Sequence, residues 1–406
     1  MTYLIAFLLI LYGVIKYDVK GLSGNANRHY NLILIYLILV SGLSYRLGGD
    51  GIVYLHQYKE YLTSDGFGWT ALNRYDNRMP GWIALIKICK LVTTQYWFFK
   101  LVHAVIINTL FLSGIKSITK YVFTGILFYY ILLYFQFNFE LLRQSLSMAL
   151  FVYSLKYFST KRWCKYYACI VAAVLFHESA VICILFPLMR YVRINIKFLF
   201  VYSLLILTIL IYGKMGFADI LGLITFDNLV GKAYVYNTTE EEQKSIVYIM
   251  TNLSLSVILP LMVSFFSRGN LNKNINIPIL GTLAYGLSFA AGLVIHIFYR
   301  FSLYFILLFF IFYAEQFLYL SRFGFSYFKR NIYSTDDIIR LKYKPSRIVF
   351  VFLISLFLIY RSRMYFSPYG DTGIPTWVQY YPYSSVIFEE TYEIREVFIR
   401  KIEARM

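Results

Sequence analysis

The sequence predicts an all-α, polytopic integral membrane protein with about 12 transmembrane helices, bounded at roughly 10 to 13. Three observations carry this. Of the 406 residues, 59% are hydrophobic and only 15% charged, with a mean hydropathy of +0.60; ordinary soluble domains are far more polar. Apolar stretches recur from the first residues to Tyr360 and leave no interval for a soluble domain of usual size. Most of these stretches are close to the ~20 residues a helix needs to cross hydrocarbon. Residues 1–406 therefore read as a single membrane domain.

Taken in order, 2–16 reads as a retained first span, because it lacks the basic start and small-residue cleavage site of a signal peptide. Further spans are expected at 30–47, 97–116, 121–138, 140–159, 197–213, 246–267, 276–297, 300–320 and 346–362. The region 81–94 carries Lys87 and Lys90 within an apolar run and is expected to form a re-entrant or interfacial helix. The region 163–192 contains AAVLFHESAV, which puts His177 and Glu178 at the centre of an apolar run.

Charge orders these elements. The formal net charge is +18, which in a soluble chain would point to nucleic acid. Here the basic residues flank spans, where Lys and Arg mark the cytoplasmic side and meet anionic headgroups, so no nucleic-acid partner is expected. The loop 321–345 is the most basic and is placed in the cytoplasm. Walking back from it puts the loops 45–96 and 214–245 and the tail 363–406 on the outer face. Both Lys161, Arg162 and Lys165 before the His-Glu pair and Arg190, Arg193 and Lys197 after it then belong inside. A hairpin of two short helices, 163–176 and 178–192, satisfies both clusters, with His177 and Glu178 at its outer tip. The alternative is one long helix with His177 at the bilayer midplane.

The same walk collects polar groups at the outer face: Arg46 and Asp50, Arg143 and Gln144, His177 and Glu178, and His296 with Arg300. Arg46 and Arg300 stand at span ends, where snorkelling arginines also occur. Arg143 lies a turn inside its span among leucines, and ionisable groups so placed tend to mark function. Asp50 has the further reading of a helix cap or an Arg46 partner, and Glu178 that of a first-turn acid favoured by the helix dipole. No HExxH, no DxD and no carboxylate cluster with ligand spacing occurs, so neither a metal nor a cofactor is expected. The four cysteines show no paired spacing, and no internal repeat is found. Arginines without matching acids suggest an anionic ligand, since a guanidinium holds phosphate oxygens in bidentate fashion. Tyr45, Tyr54, Tyr58, Tyr61, Trp69 and Tyr75 fit a sugar-binding surface, and equally an interfacial aromatic belt.

Five segments, in this order, resemble the EpsG-like branch of the Wzy-type polysaccharide (O-antigen) polymerases: RLGGDGIVYLHQY at 46–58, FELLRQSLSMALFVYSLKYF at 139–158, AAVLFHESAVICILFPL at 172–188, YRFSLYF at 299–305 and VQYYPYSSVIF at 378–388. The resemblance implies a metal-independent glycosyltransferase of the bacterial inner membrane, with its site toward the periplasm or exterior. Such an enzyme moves a growing chain from undecaprenyl pyrophosphate to a sugar hydroxyl of the next undecaprenyl-pyrophosphate-linked oligosaccharide. The lipid bilayer, a chain-length regulator and a flippase are the implied partners. In these terms His177, Glu178 and Asp50 are the catalytic candidates, and Arg143, Arg300, Arg46 and Gln144 the pyrophosphate and sugar ligands. Competing readings are a flippase for lipid-linked sugars, an O-antigen ligase and a membrane acyltransferase. A flippase is disfavoured by the lack of repeats and by the gathering of ionisable groups at one face.

Overall fold

The structure, a computed structural model, describes residues 1–61, 66–68, 79–192, 195–223, 251–261, 276–294, 297–323, 347–368 and 373–403. His296, Trp69, Tyr75 and most of the expected loops 214–245 and 321–345 lie outside the described residues. Among the described residues the chain is helical, with two isolated antiparallel bridges and no strand. Among the described residues five helices are long and apolar enough to cross a membrane: Thr2–Val19, Tyr96–Ile118, Val122–Phe139, Ile277–Val294 and Phe298–Phe317. Trp163–Phe176, Lys197–Ile211 and Thr251–Leu261 are shorter apolar helices.

The chain divides into two compact units: Met1–Glu178 with Ala314–Ser321 and Ser346–Met406, and Ser179–Tyr313 with Arg322–Pro345. The first unit opens with α1 (Thr2–Gly13), which runs on as a π-helix to Val19. It continues with α2 (Ala26–Gly42), α3 (Gly49–Glu60), α4 (Pro80–Val92), α5 (Tyr96–Ile118), α6 (Val122–Phe139), α7 (Leu142–Ser159) and α8 (Trp163–Phe176). Burying polar groups in such a bundle is tolerable only when they satisfy one another. Asn108 Nδ2 donates to Asn138 Oδ1 (2.9 Å) and to Ser41 Oγ (3.3 Å), while Asn138 Nδ2 donates to the Tyr129 hydroxyl (3.2 Å). These bonds tie α2, α5 and α6 together. The buried carboxylate of Asp18 accepts the Thr124 N–H (2.6 Å) and hydroxyl (2.8 Å) and so caps α6 from another helix. Gly114 lets α5 approach α7 so closely that a Cβ there would stand 2.5 Å from Val152 Cγ1.

Pro80 opens α4 at a position where its missing N–H costs nothing. At 13 residues α4 is about 20 Å long at 1.5 Å per residue, too short for a crossing. Its two lysines hold chain rather than face water. Lys87, fully buried, donates to Gly66 O (2.9 Å), and Lys90 donates to Tyr61 O (2.5 Å).

The expected break in 163–192 falls at His177, whose backbone is extended (φ −155°, ψ 124°). A 3₁₀ helix, Glu178–Tyr191, follows it. Fourteen residues at ~2.0 Å each reach about 28 Å, against about 21 Å for the same number in an α-helix. The second unit holds nearly all of this segment with α9 (Ile196–Leu223), α10 (Thr251–Leu261) and α11 (Ile277–Val294), and most of α12 (Ile297–Phe323). Gly281 and Gly292 seat Leu308 and Tyr299 against α11, and the Tyr285 and Phe309 rings stack at 4.4 Å. Ser179 Oγ and the Tyr304 hydroxyl are 3.1 Å apart, and Phe186 stacks on Phe305. The first unit is completed by α13 (Arg347–Ser362) and α14 (Glu393–Glu403).

Candidate active site

The turn that carries Arg46 and Asp50 is built by the end of the chain. After α2, the backbone of Arg46 is left-handed (φ +50°) and that of Gly48 has φ +81°. Gly48 is pressed on the end of α6; a Cβ there would lie 2.3 Å from Phe139 O. Gln379, buried, reads this turn twice, accepting the Gly48 N–H on its main-chain oxygen (3.0 Å) and the Gly49 N–H on Oε1 (2.8 Å). Tyr45 N–H donates to Ser384 O and Val386 N–H to Leu43 O, each at 2.9 Å. Arg46 meets Glu396 in a bidentate pair, Nε to Oε1 at 3.0 Å and Nη2 to Oε2 at 2.7 Å. Asp50 follows in the first turn of α3, where the helix dipole favours its charge.

Glu140 lies in the turn between α6 and α7, outside both helices, and is buried. Its carboxylate accepts a hydrogen bond from the Tyr380 hydroxyl, and the charge of Asp50 acts on it. Burial pushes the Glu140 carboxyl up to about 8; the Tyr380 hydroxyl pulls it down and Asp50 adds to the rise. The folded protein thus keeps a proton that the unfolded chain gives up near its ordinary value of 4.5. Stability contributed by this proton is present at low pH and lost as pH rises through about 8. The detergent-solubilised protein is expected to melt lower at pH 8.5 than at pH ~5.5, and Glu140→Gln to flatten that difference. An unchanged pH slope in Glu140→Gln would assign it to other groups.

Arg143 and Gln144 occupy the first turn of α7, and His177 caps the end of α8. A three-residue connection makes the two helices antiparallel neighbours. Ser147 Oγ donates to Ala173 O (2.8 Å), and the His177 N–H donates to the same carbonyl (3.1 Å). Arg143 is one turn before Ser147 and His177 one turn after Ala173, so the pairing brings both to the same end of the helix pair. His177 and Gln144 are buried, and Glu178 is exposed. Arg143 Nε is buried without a hydrogen-bond partner among the described residues, as are Trp82 Nε1 and Gln57 Oε1. Such groups are costly unless something satisfies them. Trp82 packs with Leu142 and Leu146 at the start of α7, and α4 presses on the end of α8, where a Cβ on Gly81 would meet Leu175 O at 2.6 Å.

Tyr54, Tyr58 and Tyr61 differ from the expected sugar surface. They pack with Trp82 and Phe99 in a buried cluster, because α3 turns this face toward α4 and α5. Arg300 lies in the first turn of α12, four residues before Tyr304, and belongs to the second unit. The first unit therefore gathers Arg46, Asp50, Arg143, Gln144, His177 and Glu178. It adds Glu140, Tyr380 and Gln379, along with Lys100 and His103 in the first two turns of α5; none of these five was singled out from sequence. His103 Nε2 is 2.9 Å from Leu142 O. Glu140 had a legible signal, a lone acid beside Arg143 in FELLRQ; the others depend on long-range packing. Among the described residues no three His, Cys, Asp or Glu side chains converge as a metal site would require.

Membrane-length helices together with a buried histidine, a buried glutamate and an arginine whose Nε is buried define a polytopic membrane protein with polar groups inside its helical unit. The chain belongs to the EpsG family, whose model matches residues 27–334. That membership suggests a polysaccharide-polymerase-like function. No curated protein and no solved structure matches the chain. The match stops short of residues 375–403, which supply Gln379 and Glu396 to the Arg46 turn and Tyr380 to Glu140.

Proposed function

We propose that this protein polymerises lipid-linked oligosaccharide repeat units at the outer face of the bacterial inner membrane, with about 12 crossings and both termini outside. The observation that carries the reading is the orphaned, buried Nε of Arg143 on the same helix-pair end as buried His177, in a chain of the EpsG family. A cationic donor without a partner suits a pyrophosphate that gains charge as it departs.

In this reading the acceptor hydroxyl oxygen bonds to the anomeric carbon of the growing chain. The bond from that carbon to the pyrophosphate breaks, and undecaprenyl pyrophosphate leaves. His177 takes the hydroxyl proton, with Glu178 in support, and Asp50 and Gln144 position sugar hydroxyls. Arg143 holds the departing charge; Arg46, oriented by Glu396, and Arg300, on its sequence position alone, are assigned to the same task. The test is complementation of a deletion strain. His177→Ala and Arg300→Ala are each expected to shorten the surface polymer to one or a few repeat units at normal protein level. Wild-type chain length in either variant would remove that residue from the scheme.

A further inference from the structure

One cavity in the first unit enters this scheme only through Arg46, on its lining. It has a volume of about 560 Å³ and lies between α3, the start of α5 and the segment Val386–Glu389. That volume falls within the ~300 to 1,000 Å³ usual for small-molecule sites. Three aromatic residues, Tyr45, Tyr96 and Trp97, are among its lining. Two cations join them: Arg46, fixed by Glu396, and Lys100, which is only 4% exposed. The Lys100 ammonium donates to Asn138 O at 3.2 Å and stands 5.0 Å from the centre of the Phe139 ring. An ammonium has three protons to donate, and among the described residues no carboxylate lies within ion-pair distance of this one. Burying such a charge is expensive unless an anion accompanies it.

A polymerase joining two lipid-linked units must hold two diphosphates at once, and Arg143 accounts for one of them. Resting on that reading, we infer that this cavity is the subsite for the second: the diphosphate and first sugar of the acceptor lipid, with Lys100 as the principal cation and Trp97 as the sugar platform. Position supports it. Lys100, on the cavity lining, bonds to Asn138 O near the end of α6, and His103, three residues on in α5, lies 2.9 Å from Leu142 O at the start of α7. The segment Val386–Glu389 lies beyond residues 27–334, which the family model matches.

The inference is tested by binding without turnover. Full-length protein in nanodiscs is titrated with farnesyl diphosphate, and in a parallel arm with inorganic pyrophosphate, while tryptophan fluorescence is followed. A saturable change is expected with farnesyl diphosphate; it should vanish in Trp97→Phe and its midpoint should rise about tenfold or more in Lys100→Met. Glu389→Gln, an exposed change that spares the fold, should tighten binding by about threefold through loss of a nearby negative charge. Arg143→Ala should leave the midpoint in place. An equal midpoint in Lys100→Met and Glu389→Gln, a signal that survives Trp97→Phe, or a midpoint that follows Arg143 would each overturn the inference. Binding of pyrophosphate but not of farnesyl diphosphate would overturn the lipid-linked source. Loss of polymer in His177→Ala with Lys100-independent binding would sink this subsite and spare the polymerase; Lys100-dependent binding with normal polymer in His177→Ala and Arg143→Ala would do the reverse.

Discussion

Arg143→Ala is expected to lower polymer formation by roughly 100-fold to 1,000-fold, the loss seen when one preorganised donor to a developing oxyanion is removed. The reasoning starts from position. Leu142 and Leu146 are fully buried around the first turn of α7, and that packing fixes where the guanidinium begins. Its Nε is buried with no protein partner among the described residues, so the protein bears the cost of an unsatisfied charged donor at this point. A ligand with two acceptor oxygens would recover that cost, and a diphosphate supplies them. Lysine keeps the charge but offers a single point of contact in place of a planar fork. Arg143→Lys is therefore expected to recover less than a tenth of the activity, scored as in-vitro chain extension per mole of folded protein. Full activity in Arg143→Lys would argue against a bidentate phosphate contact.

Gly48→Ala is expected to cost about 3 kcal/mol or more of stability. Two terms add. At φ +81° an L side chain is strained, and the added Cβ would stand 2.3 Å from Phe139 O and 2.7 Å from Phe139 C, which are backbone atoms that cannot swing aside. Gly21→Ala isolates the first term: its φ is +72° and nothing lies within 4 Å of its Cβ position. That control is expected to lose about 1 kcal/mol. The comparison is read from unfolding midpoints in detergent. Since the Gly48 and Gly49 N–H groups are both held by Gln379, Gly48→Ala should also loosen the C-terminal segment, seen as faster proteolysis near residue 380. Equal losses in the two variants would mean that the turn does not press on α6.

Local signals made much of the fold legible. Where apolar length and flanking charge set an element, the expected spans fall on the observed helices, as 97–116 does on Tyr96–Ile118 and 276–297 on Ile277–Val294. The break at His177 was also legible, because basic residues on both flanks of 163–192 leave one uninterrupted crossing unbalanced. What could not be read depends on contacts between distant segments. Arg46 and Glu396 are 350 residues apart, and nothing near Arg46 announces its partner. The segment 375–403 reads in sequence only as part of an outer-face tail, yet it supplies Gln379 to the Gly48 turn and Tyr380 to Glu140. Lys100 reads as a flanking charge at the start of a span; only the packing of α5 on α6 shows that it is buried and faces a cavity. Tyr54, Tyr58 and Tyr61 failed in the opposite sense, since an aromatic on a helix suits a sugar surface or a core equally until its neighbours are known.

The central claim is that the protein joins repeat units already outside the membrane. It is tested most directly by the lipid-linked and surface glycans of a strain lacking it, sized by gel and mass spectrometry and located by labelling intact cells. The account predicts that units accumulate singly and are reached by the label at the outer face. Single units found only after the cells are opened would mean that export had failed, and would contradict it in favour of a flippase.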